Sequence, residues 1–115
     1  MENYSMEVKE KIKEYKNKGF EFGKSERYLS HRISLSIKEV EDELNECKRL
    51  GYTHKKKVDG EIRYTLYFIY NKNHGRAYVL TFRDKIRIIT AFPLGRKTLK
   101  KYFKRFINKN NLVKE

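Results

Sequence analysis

Apolar positions near the start of the chain recur at three- and four-residue intervals. Val8, Ile12 and Tyr15 fall on one stripe of a helix predicted over 5–18, which Gly19 ends. Residues 20–35 show no clean period, although "SERYLSHRI" suits one or two helical turns carrying Tyr28, Leu29 and Ile33. The next helix is marked at both ends. Ser36 and Glu39 have capping-box spacing, in which each side chain satisfies the other's free amide, and Leu35 and Val40 occupy the positions of a hydrophobic staple. Ile37, Val40, Leu44 and Cys47 form the stripe, with Gly51 expected as the C′ stop.

Beyond Gly51 the period changes to two. Asp59-Gly60 favours a tight turn with positive φ, so a strand over 52–58 should pair with "EIRYTLYFIY", 61–70. "NKNHG", 71–75, is a turn, and strands over 76–83 and 85–93 meet at Asp84. Connections this short favour an antiparallel meander. Alternation puts Tyr78, Leu80 and Phe82 on one face. In the last strand it groups Ile86, Ile88, Thr90 and Phe92 against Arg87, Ile89 and Ala91. Helical spacing returns over 96–107: Leu99, Tyr102, Phe103, Phe106 and Ile107 line one side, and Lys100, Lys101, Lys104 and Arg105 the other. The expected fold is α+β over one domain, 1–115. It has N-terminal helices, a four-stranded antiparallel β-meander and a basic amphipathic C-terminal helix. The helices pack on one sheet face, and the other is left free for a ligand.

Charge adds direction to this picture. The formal net charge is +13. Residues 1–50 carry eleven basic and eleven acidic side chains, whereas residues 51–115 carry seventeen basic and four acidic ones. Solubility alone does not require such segregation; a polyanion partner does, and a nucleic-acid backbone is the commonest one. No apolar run approaches the length of a bilayer span, and the charged N-terminus lacks the apolar core of a secretory signal, so the expectation is a cytoplasmic protein with no membrane partner. The single cysteine, Cys47, sits on an apolar stripe and reads as core.

The candidate chemistry is sparse. No phosphate-binding glycine loop, hydrolase elbow or zinc spacing is present, and the basic half offers only Asp59, Glu61, Asp84 and Glu115 as carboxylates. That composition suits a reaction without metal or cofactor, in which RNA supplies its own 2′-OH as nucleophile. The protein then needs an acid or base, cations for the crowded phosphate and a hydroxyl donor. His31, Arg76, Arg87, Arg96, Lys97, Tyr67 and Thr90 are of the right types. His54 and His74, in a basic run and a loop, read more simply as solvated histidines. Tyr64, Tyr67, Tyr70 and Tyr78 lie on predicted strands, where they either stack bases or fill the core.

The order helix, capped helix, antiparallel sheet, together with a last strand ending in "IITAFP", resembles the compact metal-independent ribonucleases of the barnase–EndoU–colicin–RelE superfamily. "SHRISLSIKEVEDEL" looks like the histidine segment and following helix of BrnT-type toxins and their phage-encoded relatives, and "YVLTFRDKIRIITAFP" like their paired strands. The resemblance covers residues 25–98. It implies His31 as general acid or base, Thr90 as hydroxyl donor to the scissile phosphate, and Arg76 or Arg87 as the cation. The basic C-terminal helix is not a fixed feature of that group. The expectation is a toxin-like endoribonuclease cutting by 2′-OH transesterification, with Lys55, Lys56, Lys57, Tyr67, Arg96, Lys97, Lys100, Lys101, Lys104 and Arg105 holding RNA. An acidic antitoxin or immunity protein would cover the basic face. The rival reading is a non-catalytic nucleic-acid-binding regulator on the same surface.

Overall fold

The computed structural model describes residues 3–22 and 35–110, with side chains as far as Phe103. Helix α1 (Ser5–Tyr15) runs into a 3-10 turn, Lys16–Lys18, and stops at Gly19, whose φ of 88° reverses the chain at no steric cost. A two-residue strand follows, β1 (Phe20–Glu21), and then α2 (Ile37–Glu46). The meander is β2 (Leu50–Val58), β3 (Glu61–Asn71), β4 (His74–Phe82) and β5 (Ile86–Pro93), and α3 (Arg96–Asn110) completes the order.

The sheet has five strands in the order β1-β5-β4-β3-β2. Its last four strands form the expected antiparallel meander, but β1 joins β5 in parallel, so the sheet is mixed. The Ile86 amide donates to the Gly19 carbonyl at 3.0 Å and draws Phe20 and Glu21 alongside Ile86 and Arg87. A pairing between residues so far apart leaves no mark in a local hydrophobic period. The stretch without a clean period therefore opens as strand, while the helical turns expected over "SERYLSHRI", with Tyr28, Leu29, His31 and Ile33, lie outside the described residues.

Helices α1 and α2 cover one face. Val8, Ile12, Val40 and Leu44 bury against Tyr64, Leu66, Phe68, Tyr78, Leu80, Ile86 and Ile88. Burial of each aliphatic side chain contributes roughly 1.5–3 kcal/mol. The capping box forms as written: Glu39 N–H donates to Ser36 Oγ at 3.1 Å, and Ser36 N–H to Glu39 Oε1 at 3.2 Å. The far end of α2 differs from expectation. Cys47 itself takes the left-handed conformation, φ 52°, and closes the helix by donating its amide to the Glu43 carbonyl. Gly51 is not the stop but a buried residue of β2, where the register shifts between Leu50 and Tyr52. That shift sends Leu50 to the helical side and Tyr52 to the opposite one. The Cys47 thiol is core, as expected, and burial pushes its pKa up to about 11.

Two expectations about the second face change. First, a bulge in β5 pairs Thr90 with Val79 but Ile88 with Leu80. Ala91, not Thr90, therefore joins Ile86 and Ile88 in the helical-side core, and Thr90 and Phe92 turn to the other face. Second, that face is only partly free. Leu99 and Tyr102 of α3 are buried on it with Tyr52 and Ile69, flanked by Tyr67, Leu94 and Phe103. Among the described residues the sheet thus carries two helices on one side and, on the other, one helix over β2 and β3 at one end. Among the described residues no helix is long and apolar enough to cross a membrane.

Candidate nucleic-acid interface

The strand registers place side chains on the second face in cross-strand rows. Toward the β3–β4 turn, Tyr52, Tyr67, Ala77 and Phe92 form a row, over which α3 packs. The next row is His54–Thr65–Val79–Thr90, and the one after it Lys56–Arg63–Thr81–Arg87. Partners within a row stand about 4.8 Å apart, and successive rows about 7 Å apart. In the His54 row, Thr65, Val79 and Thr90 are half-buried and His54 is exposed.

At the outer end of the last row the surface dips into a cavity of about 530 Å³, lined by Arg63, Arg83 and Arg87 with Thr81, Phe22, Ile88, Ile89 and the β2–β3 turn. Three guanidinium groups from different parts of the meander meet there. Glu61 holds two of them: Arg63 Nε donates to Oε1 at 3.0 Å, and an Arg83 guanidinium nitrogen lies 2.6 Å from Oε2. The bond from Arg63, reinforced by Arg83, holds the Glu61 carboxyl below the usual carboxylate range. Arg87 has a looser neighbour in Glu21, at 3.9 Å. A guanidinium fork presents paired donors to phosphate oxygens, and with Asp59 and Glu61 also lining the cavity, Arg87 is the least committed of the three. Among the described residues no group of His, Cys, Asp and Glu side chains is set to hold a metal ion.

The residues singled out from sequence divide between the two faces. Thr90 and Arg87 share the open face. Arg76 does not: it lies on the helical side, with Nε 3.2 Å from Glu43 Oε1 and 2.7 Å from the Tyr70 hydroxyl, which it donates to. It balances a half-buried carboxylate that also accepts from the Tyr70 and Tyr78 hydroxyls, so it is not placed to assist Thr90. Despite Arg76, burial dominates and raises the Glu43 pKa. Lys55 is likewise on the helical side, 2.8 Å from Glu7, where it and the Tyr64 hydroxyl lower the Glu7 pKa. Lys57 shares that side, whereas Lys56 points to the open face.

Tyr67 is packing rather than a free platform for bases. Its ring stacks on Tyr102 at 4.7 Å and 16°, and Tyr102 stacks on Tyr52 at 4.8 Å. Tyr64 and Tyr78 are fully buried, and Tyr70 is tied to Glu43. Arg96, Lys97, Lys100 and Lys101 are exposed along α3; the side chains of Lys104 and Arg105 lie outside the described ones.

His31 falls outside the described residues. His54 is at the far end of the row from Thr90, about 14 Å away across three strand spacings. Its direct partner is Thr65, beside the Lys56–Arg63 pair in the next row. Arg63, Thr65, Thr81 and Arg83 were not singled out from sequence. The signal was there for the first two, because in "EIRYTLYFIY" the buried set Tyr64, Leu66 and Phe68 leaves Arg63, Thr65 and Tyr67 to the opposite face. No family model, curated protein or solved structure matches the chain.

Proposed function

We propose that the protein binds single-stranded RNA on the uncovered half of its second sheet face. The observation that carries this is that Arg63 and Arg87, from the row that begins with Lys56, share one cavity with Arg83. Cations spaced by strand and row track a flexible phosphate backbone, and the half-buried Ile89 beside them offers apolar contact to a base. An acidic protein partner would bind the same face and compete with RNA.

Cleavage without metal is the second reading, favoured by the pairing of His54 with Thr65 beside Lys56 and Arg63. This pair supplies a proton acceptor, a hydroxyl donor and two cations within one patch, the set that attack by the 2′-oxygen requires. In this reading His54 takes the place first given to His31, and Thr65 that of Thr90.

The test is fluorescence anisotropy with a labelled twelve-nucleotide single strand across a salt series. Arg87→Gln should reduce the slope of log affinity against log salt by about 0.7, the value for one phosphate contact on a single strand. Lys38→Gln, on the exposed side of α2, should leave it unchanged. Equal slopes for both variants and the wild type would refute the binding face. Incubation of RNA in EDTA with wild type and His54→Ala decides the second reading: cleavage lost in the variant with affinity retained supports it, and cleavage equal in both refutes the role of His54.

A further inference from the structure

A cleft of about 590 Å³ opens between the β3–β4 turn and α3, lined by Lys72, Asn73, Arg96, Lys100 and Phe103. It lies at the opposite end of β3 from the arginine cavity: one is bordered by Glu61 and the other by the turn after Asn71, ten residues or about 33 Å along an extended strand. Its volume is in the range of small-ligand sites. Its described lining holds three cations, an amide and one aromatic ring, with no carboxylate among the described residues. Arg96, Lys100 and Phe103 recur at intervals of four and three residues, so they form one flank of α3, next to the stripe of Leu99 and Tyr102 buried against the sheet. Phe103 is half-buried and packs against that stripe, which fixes its ring while leaving part of it exposed.

We propose that this cleft is a second subsite that takes one nucleotide unit, its base against Phe103 and its phosphate between Lys72, Arg96 and Lys100. The pairing of a part-exposed aromatic ring with cations matches the pairing of base and phosphate in a nucleotide. An anion site alone needs no ring, and an apolar site no cations. Asn73 supplies an amide able to donate to and accept from a base edge. The inference rests on the RNA-binding reading only for the source of the nucleotide. On that reading, a strand long enough to reach both ends of β3 gains affinity from the cleft, whereas a dinucleotide occupies one end.

The test is a titration of isotope-labelled full-length protein with adenosine monophosphate, and separately with inorganic phosphate and adenosine, followed by amide shifts. Adenosine monophosphate should shift Lys72, Asn73, Arg96, Lys100 and Phe103 with at least tenfold higher affinity than phosphate or adenosine. Lys100→Glu should weaken it at least tenfold, and Arg87→Glu should leave it unchanged. Phe103→Leu, which keeps the cations and an apolar side chain, should bring adenosine monophosphate down to the affinity of phosphate. Equal binding of phosphate and adenosine monophosphate to the wild type would overturn the nucleotide subsite, as would shifts absent from the cleft at millimolar ligand. A free nucleotide and a strand are told apart by length. If Lys100→Glu weakens a twelve-nucleotide RNA but not a dinucleotide held at the arginine cavity, the source is the strand. Weakening of adenosine monophosphate alone assigns the cleft to free nucleotides. Loss of the cleft shifts with RNA binding at the arginines intact defeats only this inference, whereas loss of RNA binding with the shifts intact defeats only the RNA-binding reading.

Discussion

Replacing Gly75 with alanine should crowd β4 against β3 beneath α3 and lower stability. A Cβ at this position would lie 2.7 Å from Leu99 Cδ2, 2.8 Å from the Phe68 carbonyl oxygen and 3.0 Å from Leu94 Cδ1. The two leucine tips can turn aside. The Phe68 carbonyl cannot, because it belongs to the neighbouring strand, where Gly75 pairs with Ile69. Two terms oppose each other. Alanine reduces the entropy of the unfolded chain and stabilises by roughly 0.4–1 kcal/mol, while forcing a methyl into a packed site costs about 1–3 kcal/mol. The steric term wins, for a net loss of about 1–2 kcal/mol, which for a domain of this size lowers Tm by roughly 4–10 °C.

Urea and thermal unfolding followed by far-ultraviolet circular dichroism would measure it. Gly95→Ser is the matched control: no atom lies within 4 Å of a Cβ there, and the Gly95 carbonyl accepts from the Leu99 amide, so serine would stand where a helix cap is favourable. That variant should hold or slightly gain stability. A Gly75→Ala protein as stable as wild type would refute the close approach of Gly75 to the Phe68 carbonyl, on which the steric term rests.

Three further outcomes follow from the packing and the charges. Ser36→Ala removes the acceptor for the Glu39 amide and should cost about 1 kcal/mol in urea unfolding, most of it restored by Ser36→Asp. Thr53→Val removes the 3.0 Å hydrogen bond between the Thr53 hydroxyl and Ser5 Oγ, which keeps its 2.7 Å bond to Asn3 Oδ1, and should cost about 0.5–1.5 kcal/mol, visible as a lower urea midpoint at unchanged slope. Glu43 has its folded pKa raised, by burial first, so its contribution to stability is complete below the unfolded carboxylate value and is lost as pH rises through the folded one. Relative to Glu43→Gln, the wild type should therefore be less stable at pH 7 than at pH 4, and a difference in urea midpoints that stays constant or grows with pH would contradict this.

Much of the fold was legible because the devices that make it are local. Ser36 and Glu39 are three residues apart, and Asp59 and Gly60, with φ of 50° and 82°, are adjacent. The four long strands follow from alternation broken by such turns. What was not legible depends on contacts between distant residues or on a single inserted one. The parallel strand at Phe20–Glu21 exists only through Ile86 and Arg87. The bulge in β5 adds one residue and so reverses every side chain after Ile88, moving Thr90 off the core face. The same effect at Gly51 turned a presumed helix stop into a strand irregularity. Arg76 and Arg87 looked equivalent as cations near Thr90, yet Arg76 faces a carboxylate on α2 that no spacing rule could bring to it. The basic surplus of the second half was the most durable signal, because charge counts survive errors of register.

The proposed RNA-binding face is tested most directly by an amide-shift map of the full-length protein titrated with a short single-stranded RNA. The account predicts the largest shifts at His54, Lys56, Arg63, Thr65, Thr81, Arg83, Arg87 and Thr90, the open half of the second face. Shifts concentrated on α1 and α2, around Glu7 and Glu43, with that half-face silent would contradict it.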